Sequence, residues 1–198
     1  MVDVKYWGPS GWKLLHTLSF QDNVEKKLFS VIGDVLPCKY CRKSTKQFVR
    51  ETPVSDNIPE WLYNLHNRVN HKLEMQHAED PSVPMPAPSP SFEEVKARYS
   101  NPVGSLAQYK EFLYSMAFNF DRKKHNVSSH KTFWASLSAM VPGVFVPRMS
   151  NNKTYLHDVK KILNDNSDVY SDVLKHKSVC KRKTCRKTHL RRRTLRST

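Results

Sequence analysis

Residues 58–75 read IPEWLYNLHNRVNHKLEM. Leu62, Leu65, Val69 and Leu73 recur at intervals of three and four, which places them on one stripe of an amphipathic helix. Pro59 suits the first turn, where its missing N–H has no partner to lose. Polar groups lie beside that stripe: His66 and Asn70 are one turn apart, with Asn67 on the adjoining face. Packed inward, they need hydrogen-bond partners. A bound heterocycle could supply them; a satisfied core histidine with surface asparagines is the plainer reading.

The same period runs through the rest of the chain. SGWKLLHTLSF (10–20) sets Trp12, Leu15 and Leu18 at helical spacing, with His16 one turn from Trp12 and Ser10 as the expected N-cap. VEKKLFSVIGDVL (24–36) continues through Leu28, Val31, Ile32 and Val35 and stops at Pro37. CRKSTKQFVRE (41–51) is a third helix. An insertion at about 78–91 then carries five prolines, as expected of a polyproline-like surface loop, before a short helix FEEVKARY (92–99). Helical patterns resume over 105–120, 130–141, 152–165 and 167–175, and no stretch alternates like a strand. The expected class is all-α: a first region over 1–100, a second helical region over 105–175, and a basic tail over 176–198.

Net charge is +15, but the stretch from Lys175 onward holds eleven Lys and Arg and no Asp or Glu, which leaves +4 for the rest. The basicity therefore describes a tail rather than the folded body. Such a tail could bind nucleic acid or an acidic surface, or simply be solvated. No run approaches the ~18 apolar residues of a membrane span, and MVDVKYWGPSGWKLL does not resemble a secretory signal, so the expected location is the cytoplasm.

Four cysteines, in two pairs, are too few for a disulfide scaffold of this length. Cys38 and Cys41 form a C-x-x-C directly ahead of a helix. A zinc site would need two more ligands at suitable spacing, and none stands nearby. A redox pair is favoured by the helix N-terminus and by Lys39, Arg42 and Lys43, all of which stabilise thiolate. Taken alone, the pair is equally readable as non-functional.

Three motifs in order alter that balance. Trp12-Lys13-Leu14-Leu15-His16, Cys38-Lys39-Tyr40-Cys41 and His66-Asn67-Arg68-Val69-Asn70 resemble the W-x-x-L-H, C-x-x-C and H-N-x-V-N pattern of the Erv/ALR family of FAD-linked sulfhydryl oxidases. The resemblance covers about residues 5–100. The W-G-P start, the lack of a second disulfide and the SFEEVKARY ending look most like the members found in large DNA viruses. The resemblance implies a four-helix bundle with a short fifth helix around FAD, usually a homodimer. It implies Trp12 and His16 at the flavin, with Trp7 and Gly8 entering before the first helix. His66, Asn67, Val69, Asn70 and Lys72 would hold the rest of the cofactor, and Tyr99 would stand against the adenine. Cys38, expected to be the more accessible sulfur, would take the attack of a substrate thiolate, and Cys41 would face the flavin. Electrons would pass to O2, giving H2O2, and the substrates would be dithiol proteins or a thioredoxin-like carrier. Where many members place a structural cysteine, this chain has Tyr63, so the fifth helix must be held by packing. A host cytoplasm or virion is the implied location.

Cys180 and Cys185 sit in the tail. The resemblance suggests a shuttle pair on a flexible arm; an inert tail and a two-His, two-Cys zinc site are the alternatives. In the second region, FLYSMAF (112–118) aligns without gaps on LLHTLSF (14–20), and FWASLSAMVPG (133–143) on LFSVIGDVLPC (28–38). Cys38 then falls on Gly143 and His16 on Tyr114. This half is either a degenerate copy of the bundle or a set of unrelated amphipathic helices. A basic nucleic-acid-binding or scaffold protein with a helical body is the alternative function.

Overall fold

The computed structural model describes residues 2–165 and 167–176. Over these residues the chain is helical and contains no strand. The helices are α1 Val4–Ser19, α2 Lys26–Ser30, α3 Ile32–Val35, α4 Lys39–Glu51, α5 Ile58–Glu79, α6 Phe92–Tyr99, α7 Lys110–Phe118, α8 Val127–Met140, α9 Asn152–Ile162 and α10 Val169–Lys175, with a 3-10 turn at Leu106–Tyr109. The all-α expectation holds. α1 packs on α5, α3 on α4 and α4 on α5, and α6 lies across α1 and α5. No helix among the described residues is long and apolar enough to cross a membrane.

The first helix starts earlier than its pattern predicts. Asp3 is the N-cap, its carboxylate accepting the Lys5 N–H at 2.9 Å, so Trp7 and Gly8 lie inside α1 rather than ahead of it. Ser10 is not a cap; its hydroxyl accepts the backbone N–H of Phe112 at 3.4 Å. Ser10 ahead of an apolar run carries a start signal, but burial of Trp7 and Gly8 against the core rewards two further turns. Pro9 removes one bond close to the helix start, where few bonds exist to lose. The stretch 24–36 likewise breaks, at Val31, into α2 and α3. α3 comes so close to α4 that a Cβ on Gly33 would meet the Lys46 backbone nitrogen at 3.0 Å and its Cα at 3.2 Å.

α6 is anchored as the absence of a cysteine at Tyr63 requires. The Tyr63 hydroxyl donates to the Pro90 carbonyl at 3.1 Å and its ring meets Phe92 edge-on at 5.5 Å. Ser91 and Glu94 form a capping box at the helix start.

One hydrophobic core runs through both halves of the chain. Leu14, Leu18, Phe29 and Leu62 belong to it, as do Leu113, Phe133, Trp134 and Tyr155. Each such side chain contributes about 1.5–3 kcal/mol on burial. The polar atoms among them are paired: Trp134 Nε1 donates to the Tyr155 hydroxyl at 2.5 Å, and His130 Nδ1 lies 3.1 Å from the same oxygen. α7 lies on α1 and α9, and α8 on α2 and α3, so the second half covers the first.

Candidate functional site

α4 begins at Lys39 because Pro37 cannot continue a preceding helix and Cys38 caps the new one. The Cys38 sulfur accepts the Cys41 backbone N–H at 3.3 Å, the geometry of an N-cap. Both thiols are free. The Cys38 pKa is lowered to about 6, first by the Cys41 thiol donating to it and then by backbone N–H groups and Arg42, against the opposing effect of burial. Cys41 is pushed well above the usual thiol range, by its hydrogen bond to Cys38, by burial and by the Cys38 charge; Lys72 pulls it the other way. The pair thus holds one proton, on Cys41, with the thiolate on Cys38. Arg42 reaches back to donate to the Leu36 carbonyl at 2.6 Å and keeps its charge over this turn.

The expectation that Cys38 is the more accessible sulfur is overturned. Cys38 is only 4% exposed, whereas Cys41 is half-buried. A capping side chain must fold back over the first turn, and here that direction leads into the core. Cys41, three residues on, faces a cavity of about 580 Å³.

α1, α3, α4, α5 and α7 build that cavity. Trp7, Gly8, Trp12, Val69 and Lys72, all singled out in the sequence, line it together with Cys41. A second cavity of about 690 Å³ adjoins it, sharing Ser44, Gln47 and Lys72 and reaching Asn67. Both volumes suit a ligand. Lys72 stands at the seam, its Nζ donating to Ser44 Oγ at 3.0 Å. Arg68 and His71 border the larger of the two, and both cavities are mainly apolar.

His16, His66 and Tyr99 come together as an aromatic stack beside the cavity wall. His66 stacks on Trp12 at 3.8 Å, and His16 stacks on Tyr99 at 5.3 Å. His16 Nε2 and His66 Nδ1 are 3.0 Å apart, so one ring donates to the other. Burial lowers the His16 pKa to about 3, with a further push from His66, and burial lowers His66 to about 4. Asn70 is turned away from the others and donates to Ser89 Oγ of the proline-rich segment at 3.0 Å. The structure therefore gathers most of the expected cofactor residues but not Asn70. Cys180 and Cys185 lie outside the described residues.

Sequence reasoning missed Tyr40, Ser44 and Gln47, which line the Cys41 cavity from α4, and Phe112, which enters it from α7. The first three recur at helical spacing from the C-x-x-C, a signal that was present. Phe112 carried no local signal. Among the described residues, two buried polar atoms at this site have no partner: Trp7 Nε1 and His16 Nδ1. Buried donors and acceptors are nearly always satisfied, so these atoms suit a site built for a polar-edged ligand.

Residues 9–86 match the model of the Erv1 / Alr family. The chain is similar to the mitochondrial FAD-linked sulfhydryl oxidase ERV1 of Saccharomyces cerevisiae, 27% identical over 84 residues, which are 36% of this chain and 44% of that protein. It is also similar to the FAD-linked sulfhydryl oxidase ERV1 of Arabidopsis thaliana, 28% identical over 79 residues (33% of this chain, 41% of that one). The Oryza sativa protein of the same name is 30% identical over 79 residues, with the same coverage. The chain spans less than half the length of these curated relatives. No solved structure matches.

Proposed function

We propose that this chain is an FAD-linked sulfhydryl oxidase of the Erv1/Alr type, which makes disulfides in dithiol proteins or in a thioredoxin-like carrier and passes the electrons to O2, giving H2O2. The observation that carries the reading is Cys41 of the C-x-x-C facing an apolar cavity walled by Trp7, Trp12 and Val69, with Lys72 at its polar seam. The unpartnered Trp7 Nε1 and His16 Nδ1, the two adjoining cavities and the aromatic stack fit a dinucleotide with a planar ring system. Trp7, Gly8, Trp12, Val69 and Lys72 would hold it, with Asn67 in the adjoining cavity and His16, His66 and Tyr99 as the flanking rings.

When bound, FAD supplies a two-electron acceptor that oxygen can reoxidise. The residues do the rest. A substrate thiolate attacks the Cys38–Cys41 disulfide at Cys38, forming a mixed disulfide and releasing Cys41 as thiolate. Bonding Cys38 to the substrate removes the neighbouring thiolate that raises Cys41, and Lys72 then favours the anion facing the cavity. A second substrate thiolate displaces Cys38, and the product disulfide leaves. Because Cys38 is only 4% exposed in the reduced chain, the residues packed around it must move to admit a substrate thiolate.

Kinship with the members of large DNA viruses rests on the W-G-P start, Tyr63 in place of a cysteine and the SFEEVKARY ending, and with it goes a place of work in the host cytoplasm or virion. The tail pair Cys180 and Cys185 is the candidate shuttle. The test is direct. The purified chain is expected to be yellow and to consume oxygen with dithiothreitol, and Cys38→Ser or Cys41→Ser to abolish that consumption while leaving the flavin in place. A colourless protein that cannot be loaded with FAD would sink the reading.

A further inference from the structure

We infer that the mouth of the Cys41 cavity is a docking surface for an acidic, apolar-centred segment of a protein dithiol substrate. The inference rests on the proposed thiol oxidation and names the chemistry of its partner.

The cavity has a buried wall and an exposed mouth. Trp7, Leu15 and Ile32 line it at no more than 5% exposure, whereas Val4 and Tyr40 line it at 42% and 37%. Two large apolar side chains held in water at one opening offer a contact that a partner can cover. Tyr40 also lies between the two cysteines in sequence, so a segment resting on it is set against the C-x-x-C.

The charge of that mouth has one sign. Lys43 and Lys72 line the cavity and no Asp or Glu does. Lys39 Nζ lies over the Tyr40 ring at 4.9 Å, which holds its charge at the apolar contact. Residues 39–43, at the start of α4, thus hold Lys39, Arg42 and Lys43 and no acidic residue. A helix N-terminus favours anions, so three cations there are the reverse of what helix stability selects. Arg42 acts locally: it donates to the Leu36 carbonyl, and it is the one of the three that lowers the Cys38 thiol. Lys39 and Lys43 are exposed and, among the described residues, form no ion pair. Lys46, one turn on, is matched by Asp34. An acidic segment brings to Lys39 and Lys43 the carboxylates that Lys46 finds within the chain.

The chain leaves the described fold at the same edge. His176 stacks on Tyr6 at 4.0 Å, and its carbonyl accepts the Asp3 N–H at 3.0 Å, both beside Val4 at the start of α1. The sequence that follows is basic, so its charge has the sign of the mouth it departs from. Charge of this kind speeds capture of an opposite partner and slows a like one, and salt screens it.

Oxygen consumption by the flavin-loaded full chain tests this with reduced peptides that share a Leu-Cys-Ala-Ala-Cys centre and carry Glu, Gln or Lys flanks. At low salt, kcat/KM should be about tenfold higher with Glu than with Lys flanks, and the gap should close as salt rises. Exchanging the leucine for serine should lower all the rates. In Lys39→Glu/Lys43→Glu, with rates taken relative to dithiothreitol, the order of flanks should reverse. Equal rates across the flanks, or no effect of the leucine, in a chain that oxidises dithiothreitol overturn the inference and leave the oxidase reading intact. A chain that consumes no oxygen sinks that reading instead. Docking is then decided by fluorescence anisotropy of labelled peptides with serine in place of both cysteines. A preference for Glu flanks that the double variant loses upholds the inference, and its absence overturns it. A single-stranded oligonucleotide that binds more tightly than the Glu-flanked peptide, and weakens equally in the variant, also overturns it. Should the double variant fail to fold, Lys39→Gln/Lys43→Gln, expected to shrink the gap between flanks, decides.

Discussion

The two sulfurs of the C-x-x-C have opposite fates although three residues separate them. Cys38 caps a helix and is a thiolate near neutrality, whereas Cys41 keeps its proton beside that negative charge. In the reduced protein, thiolate absorbance near 240 nm is therefore expected to rise through about pH 6, and Cys41→Ala should move that step upward by removing the donor to Cys38. The sign for stability follows. Between about 6 and the ordinary thiol value of about 8.5, unfolded Cys38 binds a proton that the native protein does not, so stability rises with pH. Above about 8.5 the unfolded chain loses a Cys41 proton that the native chain keeps, and stability falls. Thermal melts of the reduced chain should show this maximum, and Cys38→Ala should lose the rise. At the acid end, His16, His66, His125 and His130 are held neutral, with values lowered to about 3, 4, 4 and 3, each first by burial. The unfolded chain protonates them below about 6.5. The melting temperature should accordingly drop steeply as pH falls from 6.5 towards 4; a flat profile there would contradict the neutral state of these imidazoles.

Among the elements, α3 and α6 show how short helices are held in place. α3 has only four residues and lies on α4 through Gly33, where the Lys46 backbone leaves no room for a methyl group. Gly33→Ala should cost about 1–3 kcal/mol by overpacking, although alanine is the better helix former. Denaturant unfolding measures it, and an unchanged midpoint would show that α3 can shift. α6 depends on its capping box and on Tyr63. Ser91→Ala should cost about 1 kcal/mol, read as faster amide exchange over 92–99 than over α5. The spacing of apolar residues revealed nearly all these helices, because period 3.6 is a local property of sequence. It misplaced the start of α1 because that end is set by what Trp7 and Gly8 pack against.

Taken as a whole, the molecule is one core in which the second half completes the site of the first. Phe112 is the link: it is 1% exposed, contacts α1 at Gly11 and lines the cavity that holds Cys41. Phe112→Ala should cost about 3–5 kcal/mol, a fall of roughly 6–20 °C in melting temperature for a chain of this size. It should also lower flavin content relative to an equally destabilising core change such as Leu137→Ala, measured by absorbance per protein. Equal flavin loss in the two variants would mean that Phe112 serves the fold alone.

By itself the sequence determined the helices, the cysteine pair at a helix start and the roster of rings and amides around it, since each is written in residue type and short-range spacing. Tertiary structure alone decided which sulfur is covered, that Asn70 turns to Ser89 instead of the cavity, and that Phe112 enters the site from nearly a hundred residues away. Those outcomes depend on which faces meet, and a face acquires its neighbour only when the whole chain competes to remove its apolar surface from water.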